Sequence, residues 1–229
     1  MNRNLSRIAS KTKHLVVVAL IFVSGCAVYY PQPVDIPLIK EKGDIRVDAG
    51  FFIAPGSKED KESGTAGGYG TFSMGVTNFI AAQAYINIDV LGRSFIHGAL
   101  GLFKGFENNT VIELYGGYGG GTGFSFGDEN DGYNLAFSQF NIGKTGIGKA
   151  HIDYGLGLKA GYIRSYYGKD TPLDYRYQNN GWIVEPSIFF RIGGKRVKFC
   201  TKVNYLWTET ISSNYYFPVI VSGGINLNF

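Results

Sequence analysis

Hydrophobic and polar residues alternate with a period of two along most of the chain after its first fifth. Near the C-terminus, for example, Val221 and Ile225 fall on one face, whereas Ser222 and Asn226 fall on the other. Such alternation is typical of β-strands, in which successive side chains point to opposite faces of the sheet. It predicts ten strands, at residues 45–54, 66–76, 79–90, 95–104, 110–121, 132–143, 149–164, 181–192, 196–207 and 217–229.

The connections between these predicted strands alternate in length. Those after the second, fourth, sixth and eighth strands are short, and most of the others are long and polar. Short periplasmic turns and longer external loops are typical of outer-membrane barrels. We therefore predict an all-β fold for residues 45–229, namely a closed antiparallel up-and-down transmembrane β-barrel of about ten strands, with eight as the alternative. A water-soluble β-sandwich is the competing interpretation. The long connections are 55–65, 122–131, 165–180 and 208–216.

The N-terminus has the pattern of an export signal. A basic segment precedes the apolar run Leu15–Val23, which is shorter than the roughly 20 residues that a membrane-spanning helix needs. The sequence Val-Ser-Gly-Cys that ends at Cys26 resembles a bacterial lipobox. We therefore expect a lipoprotein signal peptide at residues 1–25, lipidation of Cys26, and a lipidated periplasmic tether at 26–44. The alternative is a plain signal peptide with a chance cysteine.

Two further properties fit an exported barrel. The chain contains 33 Gly, 16 Tyr and 17 Phe, which suits tight turns, strands and aromatic girdles. The formal net charge of +4 arises entirely from four basic residues within 1–25, so that residues 26–229 carry 18 basic and 18 acidic side chains. A neutral mature chain gives no reason to expect a nucleic-acid partner. The even strand count places both chain ends on the turn side, so we expect an outer-membrane location with the lipid anchor on the periplasmic side.

Charged residues of both signs occupy the face of the strands that is predicted to point inward. The interior of an eight-strand barrel is just wide enough to be filled by side chains, whereas open channels appear at sixteen or more strands. We therefore expect ion pairs to fill the lumen and conductance to be negligible. The predicted luminal residues are Arg46, Asp48, Asp89, Glu113, Asp153, Lys159, Glu185, Arg191, Arg196, Lys198 and Lys202.

Candidate catalytic patterns are weak. Residues 123–127 match G-x-S-x-G, but that motif requires a strand-to-helix turn, and no helix is predicted after it. His97, His151 and Asp153 also fall on the inward face, where a His–Asp pair two residues apart on one strand, as His151 and Asp153 are, can act as a general base and the residue that orients it. Polar side chains of this kind are equally the normal content of a wet lumen. We therefore predict no catalytic residue, metal or cofactor, and no enzymatic activity.

The C-terminus resembles the signal by which outer-membrane barrels are recognised for insertion. Gly224, Leu227 and the terminal Phe229 occupy its glycine, apolar and aromatic positions. The resemblance implies that the partners of the chain are the barrel-insertion machinery, the lipoprotein-processing machinery and outer-membrane lipid.

Three stretches resemble a group of outer-membrane β-barrel lipoproteins found in Bacteroidota, which has no assigned reaction. They are Cys26–Asp44, with its prolines and its Lys-Gly-Asp step, the predicted hairpin 75–80, and the glycine- and tyrosine-rich run 112–119. We therefore expect a non-enzymatic protein with a structural or surface-interaction role, in which aromatic residues of the outer connections contact an unknown ligand. A narrow pore for small solutes and, less favoured, a membrane enzyme acting on lipid or glycan are the alternatives. These aromatic residues are Tyr166, Tyr167, Tyr175, Tyr177, Trp207, Tyr215 and Tyr216.

Overall fold

The computed structural model describes six stretches of the chain. Predictions that concern residues 1–25, Cys26 and the tyrosines at 167, 175, 177, 215 and 216 lie outside the described residues. No helix among the described residues is both long enough and apolar enough to cross a membrane. The described residues are 32–55, 64–90, 92–122, 132–166, 180–208 and 218–229.

The described residues form eleven β-strands. Their bounds agree closely with the predicted ones, because the period-two pattern follows the alternation of side chains along a strand. The strands are β1 (Ile45–Ala54), β2 (Thr65–Gly75), β3 (Ile80–Asp89), β4 (Ser94–Gly105), β5 (Thr110–Thr122), β6 (Gly132–Ile147), β7 (Ile152–Tyr166), β8 (Gly181–Gly193), β9 (Val197–Tyr205), β10 (Trp207–Thr208) and β11 (Val219–Asn228).

Ten of these strands close into a ring. Each strand from β1 to β9 pairs antiparallel with its neighbour in the chain, β9 pairs with β11, and β11 returns to β1. The closing pair runs in register from Arg46 opposite Asn228 to Ile53 opposite Val221. The predicted closed antiparallel up-and-down β-barrel is thereby confirmed, with ten strands rather than eight.

The short strand β10 lies outside this ring of ten and pairs only with β8. Trp207 of β10 pairs with Val184, and Asn204 of β9 pairs with Ser187, so β9 and β10 pair with β8 in the same register. Pro186 lies between these two pairings and has no N–H group to donate. The predicted strand at 196–207 is therefore divided into two pieces by a proline on the neighbouring strand.

The barrel has two distinct ends. The turn end carries the short connections 76–79, 106–109, 148–151 and 194–196, whereas the long-connection end carries most of the longer ones. Exposed aromatic residues occur near both ends. Near the long-connection end these are Phe51, Tyr118, Tyr162 and Trp182, and near the turn end they are Phe79, Phe106, Tyr154 and Phe229.

The two faces of the barrel wall differ in polarity. Large apolar side chains face outward along the strands; Leu100 is 67% exposed and Phe199 is 72% exposed. Charged side chains face inward, and Glu113 and Arg191 have no accessible surface. A water-soluble domain buries apolar residues and exposes charges, so this distribution is inverted.

Residues 32–39, called here the luminal segment, lie buried within the barrel. The structure thus corrects the expected tether: this part of residues 26–44 does not run between a lipid and the barrel but through its interior. The physical reason is the alternation of Val34, Ile36 and Leu38, which form a buried apolar cluster with Val111 and Phe189 of the wall. Only residues 40–44 of the described part lie outside the lumen, at the turn end, immediately before β1.

Candidate functional site

The luminal segment is anchored at its middle by Asp35. The Asp35 carboxylate accepts hydrogen bonds from Gln83 Nε2 at 2.7 Å and from Ser73 Oγ at 3.2 Å, and it lies 3.5 Å from Lys202 Nζ. The Asp35 carbonyl oxygen accepts a hydrogen bond from Gln139 Nε2. Four different strands therefore converge on one residue of the segment.

Wall side chains also satisfy the peptide groups of the segment on the turn side of Asp35. Arg191 Nη2 donates to the carbonyl of Ile36 at 2.6 Å, and the backbone N–H of Ile39 donates to Glu113 Oε1 at 2.7 Å. A buried peptide group that lacks a partner costs free energy comparable to a lost hydrogen bond. The polar lining of the lumen thus supplies the hydrogen bonds that neighbouring strands would supply in a sheet.

Glycines in the wall give the segment room. A Cβ atom at Gly157 would lie 2.7 Å from Ile36 Cδ1, and one at Gly143 would lie 2.9 Å from Leu38 Cδ1. Both distances are shorter than ordinary van der Waals contact, so these two glycines permit the close approach of the segment to β6 and β7.

Asp48 is the centre of the largest group of charges. Its Oδ2 atom lies 3.0 Å from Arg191 Nη2 and 2.8 Å from Lys202 Nζ, and Asn226 donates a hydrogen bond to its Oδ1 atom. Because Lys202 also contacts Asp35, the group joins β1, β8, β9 and β11 to the luminal segment. The wall and the segment are thus connected by one continuous set of ion pairs.

A second group surrounds Asp153 near the turn end. Its Oδ1 atom contacts Lys198 Nζ and accepts hydrogen bonds from Thr145 Oγ1 at 2.9 Å and from the Gly146 N–H at 2.7 Å. Its Oδ2 atom lies 3.8 Å from Arg46 Nη1. Two cations that the wall directs inward therefore share one carboxylate.

The remaining buried charges also have partners of opposite sign or hydrogen bonds. Lys159 Nζ lies 2.9 Å from Glu185 Oε2, and Arg93 Nε donates to Asp89 Oδ2 at 2.6 Å. Glu113, besides its contact with the luminal segment, accepts a hydrogen bond from Asn141 Nδ2 at 2.9 Å.

The buried charges balance among the described residues. Six cations face six carboxylates, and Asp35 of the luminal segment supplies the sixth carboxylate. Without the segment the wall would carry one cation in excess. The cations are Arg46, Arg93, Lys159, Arg191, Lys198 and Lys202, and the carboxylates are Asp35, Asp48, Asp89, Glu113, Asp153 and Glu185.

Aromatic rings fill the part of the lumen closer to the long-connection end. The ring of His97 stacks on Tyr85 with centroids 4.8 Å apart and meets Phe137 edge-on at 4.9 Å. Phe95 stacks on Tyr133 with centroids 5.6 Å apart. Glycines of β5 lie against these rings: a Cβ atom at Gly117 would come within 2.4 Å of the Phe137 ring. Contacts of this kind with aromatic rings explain the glycines at positions 117, 119 and 121 of β5.

The structure does not assemble the His–Asp pair that the sequence raised as a candidate base. His151 is half-buried in the turn before β7, with a φ of 42°, and makes no hydrogen bond or ion pair with Asp153, the buried second residue of β7. The third candidate, His97, lies near the opposite end of the barrel, three residues from the long-connection end of β4. Asp153 is occupied by Lys198 and its hydrogen bonds. Within the described ranges there is no cluster of three or more His, Cys, Asp or Glu suited to a metal ion.

Ten of the eleven predicted luminal residues are buried inside the barrel, and Arg196 is the exception. Arg196 precedes the first residue of β9 and is exposed, lining a hollow of about 440 Å³ at the turn end together with Lys195 and Asn228. Alternation predicts which face of the wall a side chain is on, but not how far along the barrel axis the residue lies. A residue just before a strand can therefore lie outside the lumen, beyond the end of the barrel.

Sequence reasoning missed Asp35 and Arg93 among the buried charges. Asp35 falls in the predicted tether, where the alternation of Val34, Ile36 and Leu38 around it is too short to distinguish a buried segment from a linker. Arg93 falls in a predicted connection, and the only signal in the sequence is its position four residues after the inward-facing Asp89, with which it forms an ion pair in the structure.

The residues of the predicted insertion signal lie at the closing seam. Gly224 faces β1 so closely that a Cβ atom would lie 2.2 Å from the Ala49 carbonyl oxygen. Leu227 is near the end of β11, and Phe229 is 68% exposed beyond it. Glycine at position 224 thus has a packing role, and recognition by insertion machinery stays a prediction.

No protein-family model matches the chain, and no curated protein matches it. The resemblance to barrel lipoproteins of Bacteroidota therefore also stays a prediction.

Proposed function

We propose that the chain is an outer-membrane β-barrel lipoprotein with a filled lumen and a structural or surface-interaction role, without a catalytic step. The observation that carries this proposal is the inverted polarity of the wall, with paired charges inside and a continuous apolar exterior. A soluble monomer rarely exposes an apolar patch of more than a few hundred square ångströms. Lipid is the environment in which an apolar exterior of this extent is stable.

The aromatic residues near the two ends of the exterior support the same placement. Tyr162 and Trp182 contact each other edge-on near the long-connection end, with ring centroids 5.3 Å apart. Phe79 and Tyr154 are exposed near the turn end. Aromatic girdles at both interfaces flank the apolar band of outer-membrane barrels.

The content of the lumen supports a non-conducting barrel. The luminal segment occupies the interior and is joined to the wall by the ion pair of Asp35 with Lys202 and by the hydrogen bond that Arg191 donates to the Ile36 carbonyl. Ten strands enclose a lumen that is far narrower than those of open channels. We therefore propose that solutes do not pass through the barrel in its resting form.

The proposed membrane placement is tested by fractionating bacteria that express the full chain. We expect the protein in the outer-membrane fraction, with the mass of a chain that begins at an acylated Cys26. Recovery in the aqueous fraction would contradict the membrane placement. Retention of Met1 or an unmodified Cys26 would contradict the lipid anchor alone.

The proposed closed lumen is tested by conductance in planar bilayers. Purified wild-type protein should give no steady current. A protease site introduced at the exposed residues 41–43 would allow the luminal segment to be cut from β1 after assembly, and washing it out in mild denaturant should then produce channels. The uncut protein, washed in the same way, is the control. Steady current through the wild type would instead support the narrow-pore alternative.

A further inference from the structure

The luminal segment has a defined direction through the barrel. Its first residue, Gln32, donates from Nε2 to the Tyr133 hydroxyl at 2.8 Å. Tyr133 is the second residue of β6 and therefore lies at the long-connection end. The carbonyl of Gln32 also accepts a hydrogen bond from Asn204 Nδ2 at 3.4 Å, in the half of β9 that leads to that end.

The other end of the segment emerges at the turn end. A Cβ atom at Gly105, the last residue of β4, would lie 2.8 Å from the Lys40 carbonyl oxygen. Lys40 Nζ donates to Asn109 Oδ1 in the turn that follows, at 3.1 Å. The Gly43 N–H donates to the carbonyl of Gly75, the last residue of β2, at 2.8 Å.

The segment thus crosses the interior once. Eight residues reach at most about 26 Å when fully extended, and Leu38, with a φ of 57°, is not extended, so one pass uses the whole length of the segment. A return to the turn end would require a second chain segment in an interior already occupied by buried charges and aromatic rings. The simplest path for the residues before Gln32 is onward, past the long connections.

We infer that the chain enters the barrel at its long-connection end, so that the residues preceding Gln32, and any lipid on Cys26, lie on the same side of the membrane as the long connections. This inference rests on the proposed outer-membrane barrel. Cys26 precedes Gln32 by six positions, which span at most about 20 Å, so the acyl chains would enter the leaflet nearest the long connections. With the long connections external, as expected from the alternation of connection lengths, that leaflet is the outer one, opposite to the periplasmic-side anchor expected from strand parity.

Labelling of single cysteines on intact cells with a membrane-impermeant maleimide tests this inference. The parent is the full chain with Cys200→Ser, which removes the buried free thiol. Three variants of the parent place a thiol two residues after the anchor (Val28→Cys), in the longest connection (Lys169→Cys) and in a short turn (Gly194→Cys). We expect Val28→Cys to be labelled on intact cells like Lys169→Cys, and Gly194→Cys only after permeabilisation.

The outcomes separate the inference from the proposed function. If Val28→Cys, like Gly194→Cys, is labelled only after permeabilisation while Lys169→Cys is labelled on intact cells, the inference is wrong and the proposed outer-membrane barrel stands. If all three cysteine variants are labelled equally on intact cells, or if none is labelled before lysis, both the inference and the proposed outer-membrane barrel are wrong. Labelling of the parent would show a free Cys26 and contradict lipidation, and the side on which Cys26 reacts would then itself report the path of the chain.

Discussion

The two halves of the lumen are filled in different ways. Toward the turn end, charged and amide side chains surround the backbone of the luminal segment, with Asp48 as their centre. Toward the long-connection end, the rings of Tyr85, Phe95, His97 and Phe137 pack on one another and on wall glycines. The difference shows that the charged lining is concentrated around residues 35–39 of the segment, whose peptide groups and carboxylate it satisfies. Where the segment passes from Gln32 to Val34, most of the surrounding wall residues are aromatic, and the interior there resembles an ordinary core.

The largest expected effect is that of Asp48→Asn in the charged half. The substitution leaves Arg191 and Lys202 facing each other without the carboxylate they share. Breaking a buried ion pair by removing one partner typically costs about 3–5 kcal/mol. We expect a loss of that size in the free energy of unfolding, measured by urea titration of the barrel in detergent.

The control for this experiment is Glu41→Gln, which removes a carboxylate from the exposed stretch before β1. Its effect should stay within about 0.5 kcal/mol. A second variant, Asp48→Asn with Lys202→Met, should recover part of the loss because one unpaired cation is gone. If Asp48→Asn and Glu41→Gln lower the free energy of unfolding by equally small amounts, Asp48 does not act as the shared partner of Arg191 and Lys202.

An intermediate effect is expected where the luminal segment contacts the wall. Gly157→Val places a side chain into Ile36, and overpacking of this kind typically costs about 1–3 kcal/mol. The cost should be smaller in an Ile36→Ala background, because the two positions are in direct contact. Gly116→Val is the matched control, since a Cβ atom at Gly116 meets no atom within 4 Å. If Gly157→Val lowers the free energy of unfolding equally in the wild-type and Ile36→Ala backgrounds, residues 36 and 157 are not in contact.

The smallest expected effect is in the aromatic half and has the opposite sign. Neither ring nitrogen of His97 has a hydrogen-bond partner among the described residues. Replacing an unsatisfied buried polar group by an apolar one of similar shape removes a desolvation cost, so His97→Phe should stabilise the barrel by about 1 kcal/mol.

The comparison for His97→Phe is Gln139→Leu, a polar-to-apolar change in the other half. It removes the hydrogen bonds that Gln139 Nε2 donates to the Asp35 carbonyl and to Asn141 Oδ1, and it should destabilise the barrel by about 1–3 kcal/mol. If His97→Phe and Gln139→Leu both destabilise the barrel, the half near the long-connection end does not pack like an ordinary apolar core.

The strands could be predicted from sequence because their pattern is local. Alternation along β4 or β11 reflects only the geometry of an extended chain, and closure into ten strands follows from their even number and connection lengths. The buried charges of these strands could be predicted in the same way. The exposure of Arg196 could not be predicted, because it depends on where the barrel ends relative to the first residue of β9.

The luminal segment could not be predicted because its position depends on the whole barrel. Prolines at 33 and 37 and a lipobox upstream are typical of a linker, and only five residues show alternation. Its burial follows from the room left by Gly143 and Gly157 and from the one cation that the wall carries in excess. These features exist only after the strands have closed.

The central claim is that residues 32–39 lie inside the barrel, and the pair Ile36→Cys with Gly157→Cys tests it most directly. In the Cys200→Ser background these cysteines should form an intramolecular disulfide under mild oxidation. A Cβ atom at Gly157 lies 3.0 Å from Ile36 Cγ1, the position that a cysteine sulfur at residue 36 can take, and in a disulfide each Cβ lies about 3 Å from the opposite sulfur. The matched pair Ile36→Cys with Gly116→Cys, on the outer face, should form none. Mass spectrometry of the folded protein should therefore show a loss of two hydrogens only for the first pair. Thiols of the first pair that stay free and react with maleimide in the folded barrel would contradict the account.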